Sequence, residues 1–456
     1  MKTYQNKIML LLVCCLGFAG CDKYLDITPK GQTLLSTVDD YDQWLNDEAL
    51  IVGVTPPQGI INYMGDNVDL VSITNPPLTV AELMYAWQPQ FALDLSAPAV
   101  IWGDHYAKIN LYNTVLNGIE KATGGTNAKK RALKAEALLG RAMEYFYLVN
   151  EYGVPYDVAT ADQDLAVPFV TSNDVTQTVP PRSTVAEIHK HIIDDLQAAI
   201  PDLPADNSAN RFRGSVSAAY SILARVNFYA RNYDEAQKNA ELALTSTRAV
   251  MIDLNATLPV SNLLSIRPDV IYGRLMIGGA PAKLEFMRTF ASNDLRVRAF
   301  YTSSDNYTYV TRGATAFNPR QRTPIFESIN TGTSIQEMKL IVAEGAARAN
   351  NLSLALQHLD EVRKNRFPKA SYVRYESANQ ESVLSEVMKE RSHELPYVGL
   401  RWFDMRRLNK EGRMGTVTRL DAQGNVIATL QPNSPRYTLQ IPIQAISYNP
   451  GMPQNP

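Results

Sequence analysis

The 456-residue chain is expected to fold as a mainly α protein, built from tetratricopeptide-like helix pairs joined by long irregular loops. Three observations point there. Residues 215–244, "SVSAAYSILARVNFYARNYDEAQKNAELAL", carry Tyr220, Leu223, Ala224, Ala236, Ala240 and Ala243 at the offsets where that repeat alternates bulky and small residues. A weaker copy at 338–363 places Val342, Ala343, Ala346, Ala355, Leu359 and Val362 in the same order. Between 132 and 149, apolar residues recur three and four apart, the period of a helix with one buried face.

The elements follow from local chemistry. The chain begins with Lys2 and Lys7, an apolar run from Ile8 to Phe18, and the small residues Ala19 and Gly20 before Cys21, which is the order of a secretory signal. The run is too short to span a bilayer, which takes about 20 apolar residues. Cys14, Cys15 and Cys21 are the only cysteines, so cleavage before Cys21 leaves one thiol without a disulfide partner. Phe18 to Cys21 resembles a bacterial lipobox. We therefore expect residues 1–20 to be a lipoprotein signal peptide, Cys21 the lipidation site, 21–36 a lipidated tether, and 37–456 a single helical domain. A plain secreted protein with an incidental cysteine is the alternative.

A helix from about Val100 to Ile119 is expected to partner "RALKAEALLGRAMEYFYLVNEYG", which Gly153 and Pro155 stop. Thr184 and Glu187 form a capping box ahead of Val185, Ile188, Ile192 and Leu196, and Pro201 ends that helix. Alanines at helix crossings allow close backbone approach, with Asn232-Tyr233 and Asn350-Asn351 as the turns of the two pairs. The copies lie roughly 120 residues apart, so each needs another helix pair to cover it. Segments 51–99, 154–181 and 247–334 are rich in Pro, Asn, Thr and Tyr, and irregular stretches of that length are usually functional.

Composition narrows the function. With 45% hydrophobic and 20% charged residues the chain is neither disordered nor membrane-embedded. Its formal charge is −2 with no basic block, which argues against nucleic acid as a partner. No P-loop, Gly-x-Ser-x-Gly or His-Glu-x-x-His occurs. His189 and His191 lie two apart on a helix, about 200° around its axis, and cannot share a metal. No cofactor, metal site or catalytic residue is expected.

Across the mature chain the sequence resembles the SusD/RagB family of Bacteroidetes surface lipoproteins. The matching stretches are "CDKYLDITPKG", "KAEALLGRAMEYFYLVNEYGVPY", "PRSTVAEIHKHIIDDLQAAIPDLP", "FRGSVSAAYSILARVNFYARNYDEA", "ERSHELPYVGLRWFDMRRL" and "IPIQAISYNPGMPQNP". Pro396 and Val398 depart from the family's usual residues before Gly-x-Arg-Trp. The resemblance implies a SusD-like fold with minor β-strands and irregular loops forming a ligand face. It also implies docking on a SusC-like TonB-dependent outer-membrane transporter, delivery of an oligosaccharide or peptide, and no catalysis. Membrane contact would be through the lipid anchor alone.

In this family, ligand contacts cluster in segments corresponding to 60–90 and roughly 270–320. From these we select Tyr63, Asp66, Tyr85 and Trp87, and Tyr301 and Tyr309, as ligand-binding residues. Trp87 stands out because Pro89 forbids helix there, and a flat aromatic face suits a sugar ring. Trp44, Trp102 and Trp402 are read as core. In "ERSHELPYVGLRWFDMRR", Glu390 and Glu394 fall one helical turn apart. A carboxylate pair for glycoside cleavage is one reading. An ion-pair network among Glu390, Glu394, Arg401, Asp404, Arg406 and Arg407 is the reading preferred here. A lipid-anchored glycan-cleaving enzyme and an adhesin-like interaction protein are the competing functions.

Overall fold

The structure, a computed structural model, describes residues 35–456 apart from 53–56, 92–93, 257–262, 277–278, 305, 310–316 and 321–328. The signal segment, Cys21 and most of the tether lie outside the described residues. Among the described residues, nine helices have ten residues or more: α1 (Trp102–Gly118), α2 (Asn127–Tyr152), α3 (Val185–Ala199), α4 (Val216–Tyr229), α5 (Tyr233–Ser246), α6 (Ile335–Arg348), α7 (Leu352–Arg363), α8 (Gln380–Glu394) and α9 (Arg401–Lys410). No helix among the described residues is long and apolar enough to cross a membrane.

Side-chain caps set several helix starts. Thr184 accepts from the Glu187 amide at 3.2 Å and Glu187 Oε2 accepts from the Thr184 amide at 2.8 Å, the reciprocal box read from the sequence. Thr126, Ser215, Asn351 and Asn379 cap α2, α4, α7 and α8 in the same one-way sense. The amide of Gly153 still bonds to Val149, but its own backbone is extended, and α2 stops there.

Helix α2 departs from its expected one-faced pattern: residues 141–149 are all buried. It lies between α1 and α3 and also meets α4, so over 141–149 no side is left to solvent, while its first turn, at 127–131, stays largely exposed. Its polar residues survive by pairing. Arg141 donates to both oxygens of Asp195 at 2.8 Å, Arg213 holds Glu136, and His105 on α1 stands 2.7 Å from Glu144.

Helices α4 and α5 form one tetratricopeptide-like pair and α6 and α7 the second. Ala224, Ala236, Ala240, Ala343, Ala346 and Ala355 are all buried at the crossings. Each pair turns through one residue of positive φ, Arg231 (63°) and Asn350 (59°), so the first turn sits one residue earlier than the sequence suggests. The pairs are distant in sequence yet stack directly, α5 against α6, and α8 covers the outer side of α6 and α7.

The strands are short antiparallel pairs. Three pin the 270–334 segment: Val270–Tyr272 with Thr333–Ser334, Leu275–Met276 with Ile329–Asn330, and Tyr301–Thr302 with Asn318–Pro319. The segment 51–99 is less irregular than expected, since short helices form at Pro57–Ile61 and Val80–Tyr85, the latter with its own capping box from Thr79 and Glu82.

Candidate ligand site

The loops after α5 and before α1 converge on a second apolar cluster beside the main core. It joins Val68, Ile73 and Tyr85 to Met276, Phe290, Tyr301, Phe317 and Tyr397. Backbone bonds lock the two segments together: Asp69 N to Pro281 O at 2.9 Å and Lys283 N to Asn67 O at 2.9 Å. Asn62 ties both to the 395–401 loop, donating to Tyr397 O at 2.6 Å and accepting from the Gly399 amide at 3.0 Å. That loop needs positive φ at Tyr397 (64°) and at Gly399 (79°).

Arg419 organises the first segment. From strand Val417–Leu420 its guanidinium donates to Tyr85 O (3.0 Å), Val68 O (3.2 Å), Tyr63 O (3.0 Å) and Gly65 O (2.8 Å). Its plane lies 4.1 Å from the Tyr85 ring centroid and 4.2 Å from that of Trp87. Burial pulls its pKa down to about 10, so it is charged at neutral pH and held by carbonyl dipoles and aromatic faces. Nothing near Arg419 in the sequence signals this, because every partner lies more than 330 positions away.

The six selected residues divide into two sets. Tyr85, Trp87 and Tyr301 are 2%, 1% and 0% exposed, which corrects the expectation that their faces meet a ligand. Tyr85 Oη donates to Asp69 at 2.8 Å, and Trp87, at φ 51°, donates from Nε1 to Met64 O at 3.1 Å. Tyr301 packs edge-on against Phe290 and Phe317. Burying such large rings releases more free energy than exposing them, and their polar tips alone do not force a surface position.

Tyr63, Asp66 and Tyr309 stay half-buried at the cluster's edge. Asp66 receives Arg401 through Nε at 2.6 Å and Nη2 at 2.7 Å. Burial pushes its carboxyl up, but Arg401 outweighs that and holds it below the usual range. The pair lines an open cavity of about 440 Å³ with Lys389, Ser392, Arg413 and Thr416. Tyr309 stacks on Phe317 at 5.3 Å. Beside it stands Tyr307, which the sequence did not single out: it follows Asn306 in a turn where both φ are positive (57° and 64°), Arg320 Nη2 donates to its hydroxyl, and Arg298 lies 5.5 Å from its ring. The consecutive Asn-Tyr at a tight turn was the available signal.

The acid-rich motif is an ion-pair network. Glu390 and Glu394 are fully buried, both reached by Arg296, with Arg363 on Glu390 and Arg366 on Glu394. Asp404 pairs with Arg391 and Arg407. Arg401 leaves this network for Asp66, and Arg406 binds the carbonyls of Asn150 and Gly153. His189 packs on Tyr156 and His191 stacks on Phe169, so their rings go to different neighbours.

The molecule is a stacked helix-pair scaffold carrying loops that bring aromatic and paired charged residues together. Residues 23–228 match a family model described as starch-binding and associating with the outer membrane, and residues 299–456 match the model of the SusD family. A SusD-like protein of Bacteroides ovatus is 29% identical over 233 residues, 49% of this chain and 39% of that protein, so the match spans about two fifths of the curated relative. A SusD superfamily structure from Bacteroides thetaiotaomicron superposes with TM-score 0.75 at 20% identity, covering 92% of this chain and 100% of its own. A putative sugar binding protein from Bacteroides vulgatus gives 0.73 at 20%, covering 93% and 99%, and surface glycan-binding protein A from Bacteroides fluxus gives 0.71 at 15%, covering 92% and 99%. The chain belongs to the SusD/RagB family.

Proposed function

We propose that this protein is an outer-membrane lipoprotein, anchored through Cys21, that binds oligosaccharides on its loop-built face and hands them, uncleaved, to a SusC-like TonB-dependent transporter. The observation that carries the reading is the convergence of the 62–91, 270–320 and 395–401 segments on one surface. Next to that cluster, the half-exposed Asp66–Arg401 pair borders a cavity, walled otherwise by 388–392 and 408–417, that is large enough for sugar rings. A carboxylate and a guanidinium side by side complement vicinal hydroxyls, one accepting and the other donating, and the half-buried rings of Tyr63, Tyr307 and Tyr309 at the edge of the apolar cluster, outside the cavity's own lining, are further ring faces for a longer ligand. Family membership adds the glycan-binding background, and residues 37–456 form the binding domain of this reading.

Calorimetry of the mature chain against an oligosaccharide panel tests the binding step. Saturable binding without new products, weakened at least about tenfold by Asp66→Ala, is expected, since charge-assisted hydrogen bonds contribute about 1.5–3 kcal/mol. Turnover of any glycan would refute the non-catalytic reading, and absence of binding across the panel would refute capture. Affinity purification from native membranes tests delivery, with a TonB-dependent transporter expected in the eluate. Mass spectrometry of the mature amino terminus tests the anchor: an unmodified Cys21 would remove it.

A further inference from the structure

A second cavity, of about 170 Å³, lies between Ala299–Phe300 and Pro319–Arg320 on one side and, on the other, lining residues of 329–337 and the Leu395–Val398 turn. Its lining is unusual in what it leaves unbonded. Gln336, only 8% exposed, gives its amide nitrogen to Asp269 at 2.9 Å, which fixes the amide orientation and leaves Oε1 without a partner. Arg320 Nε and the Tyr397 hydroxyl, both buried, also lack partners, and both residues line the same space. An orphaned buried polar atom is costly unless something fills its hydrogen-bond site.

The charges point the same way. The three lining acids are neutralised by protein: Asp269 by Arg267, Glu337 by Arg225 and Glu394 by Arg366. Arg320 is the exception: among the described residues no carboxylate lies within ion-pairing distance of it, and its guanidinium has one hydrogen-bond partner there, the Tyr307 hydroxyl. The remaining wall combines the apolar Phe300, Ile329, Leu254 and Leu395 with the polar Asn330 and Ser334. A dry cavity of about 150 Å³ accepts benzene, so this one takes a single six-membered ring.

We propose that this cavity binds one carboxylated pyranose unit, a hexuronate, either free or at a chain end. Its carboxylate pairs with Arg320, a ring hydroxyl donates to Gln336 Oε1, and its C–H face rests on Phe300 and Ile329. The site is separate from the Asp66–Arg401 cavity, and the two bind independently: loss of one leaves the other intact.

The test is titration of the mature chain with galacturonate, glucuronate, a trigalacturonate and the neutral galactose, each repeated on Arg320→Gln and Ala299→Phe. Ala299 lines the cavity, and the larger ring fills it. Expected is one-site binding of a uronate, or of the trimer, at least about tenfold tighter than galactose, with that preference lost in Arg320→Gln and binding lost in Ala299→Phe. Preference for the monomer identifies the free sugar, and preference for the trimer the chain end. Absence of uronate binding, equal binding of galactose, or a preference that survives Arg320→Gln overturns the proposal and leaves solvent as the occupant. Thermal melts of both variants report folding, and galactose against uronate on the unmutated chain decides the charge question without any substitution.

Discussion

Replacing Arg225 with methionine should destabilise the protein by about 4 kcal/mol. Arg225 on α4 and Glu337 on α6 are each 1% exposed in their side chains and meet through two hydrogen bonds, of 2.8 and 2.6 Å. The same guanidinium donates to Gly332 O at 2.6 Å and Thr331 O at 3.2 Å, fastening the loop before α6 to the scaffold. Methionine keeps the length and removes the charge, so Glu337 is left without its partner in a buried site, a loss of about 3–5 kcal/mol when one partner of a buried pair is deleted. Thr331 O keeps the Tyr147 hydroxyl at 2.7 Å, so Gly332 O is the carbonyl that loses its donor. Removing both ends, Arg225→Met with Glu337→Met, should recover most of the loss, leaving about 1–2 kcal/mol and a coupling energy of at least about 2–3 kcal/mol, more by whatever Glu337→Met costs alone. Urea unfolding followed by tryptophan fluorescence, with slopes compared between variants, measures each corner of the cycle. A single variant that loses less than about 1 kcal/mol, or a double variant no more stable than Arg225→Met, would refute the argument that the pair locks the two helix pairs together.

Trp87→Ala is expected to cost about 3–5 kcal/mol, because the ring is buried against Arg419 and the main core; a melting temperature close to that of the parent would return Trp87 to the surface. Gly140→Ala places a methyl 2.1 Å from the Tyr112 ring, so α1 must shift from α2 at a net cost of about 1–3 kcal/mol despite the better helix former; a raised melting temperature would contradict that contact. Burial alone would lower the pKa of His105, but Glu151 and Glu144 outweigh it and push it up to about 9. Relative to an unfolded value near 6.5, this contribution is fully present below pH 6.5 and lost as pH rises to about 9, a change of about 3 kcal/mol. The difference in unfolding free energy between the parent and His105→Gln should therefore shrink across that window, and a constant difference would refute it. His189, pulled down to about 4 by burial, acts in the opposite sense: its contribution is present above about 6.5 and is lost as the pH falls to about 4, and His189→Phe should flatten that acid limb.

The helical scaffold was legible because its signals are local. The Thr184–Glu187 box, the alanines of the two pairs and the apolar spacing of 132–149 each lie within one or two turns, where backbone geometry dictates which side chains meet. The Glu390–Glu394 motif was readable for a similar reason, since interleaved acids and arginines can be sated by one another. The site was less legible. Trp87 in an irregular stretch looks exposed until Arg419, more than 330 residues later, is seen to cover it, whereas Tyr307 drew no notice beside Tyr301 and Tyr309.

By sequence alone, this chain specified where helices begin and end, which of their faces carry small residues and which family it joins, because capping, periodicity and motif spacing act over a few residues. Tertiary structure decided that the two distant pairs stack α5 on α6, that α2 is buried on every side over 141–149, and which aromatics become wall and which rim. Those outcomes depend on contacts between segments from tens to hundreds of residues apart, whose free energy exists only once the chain has closed on itself.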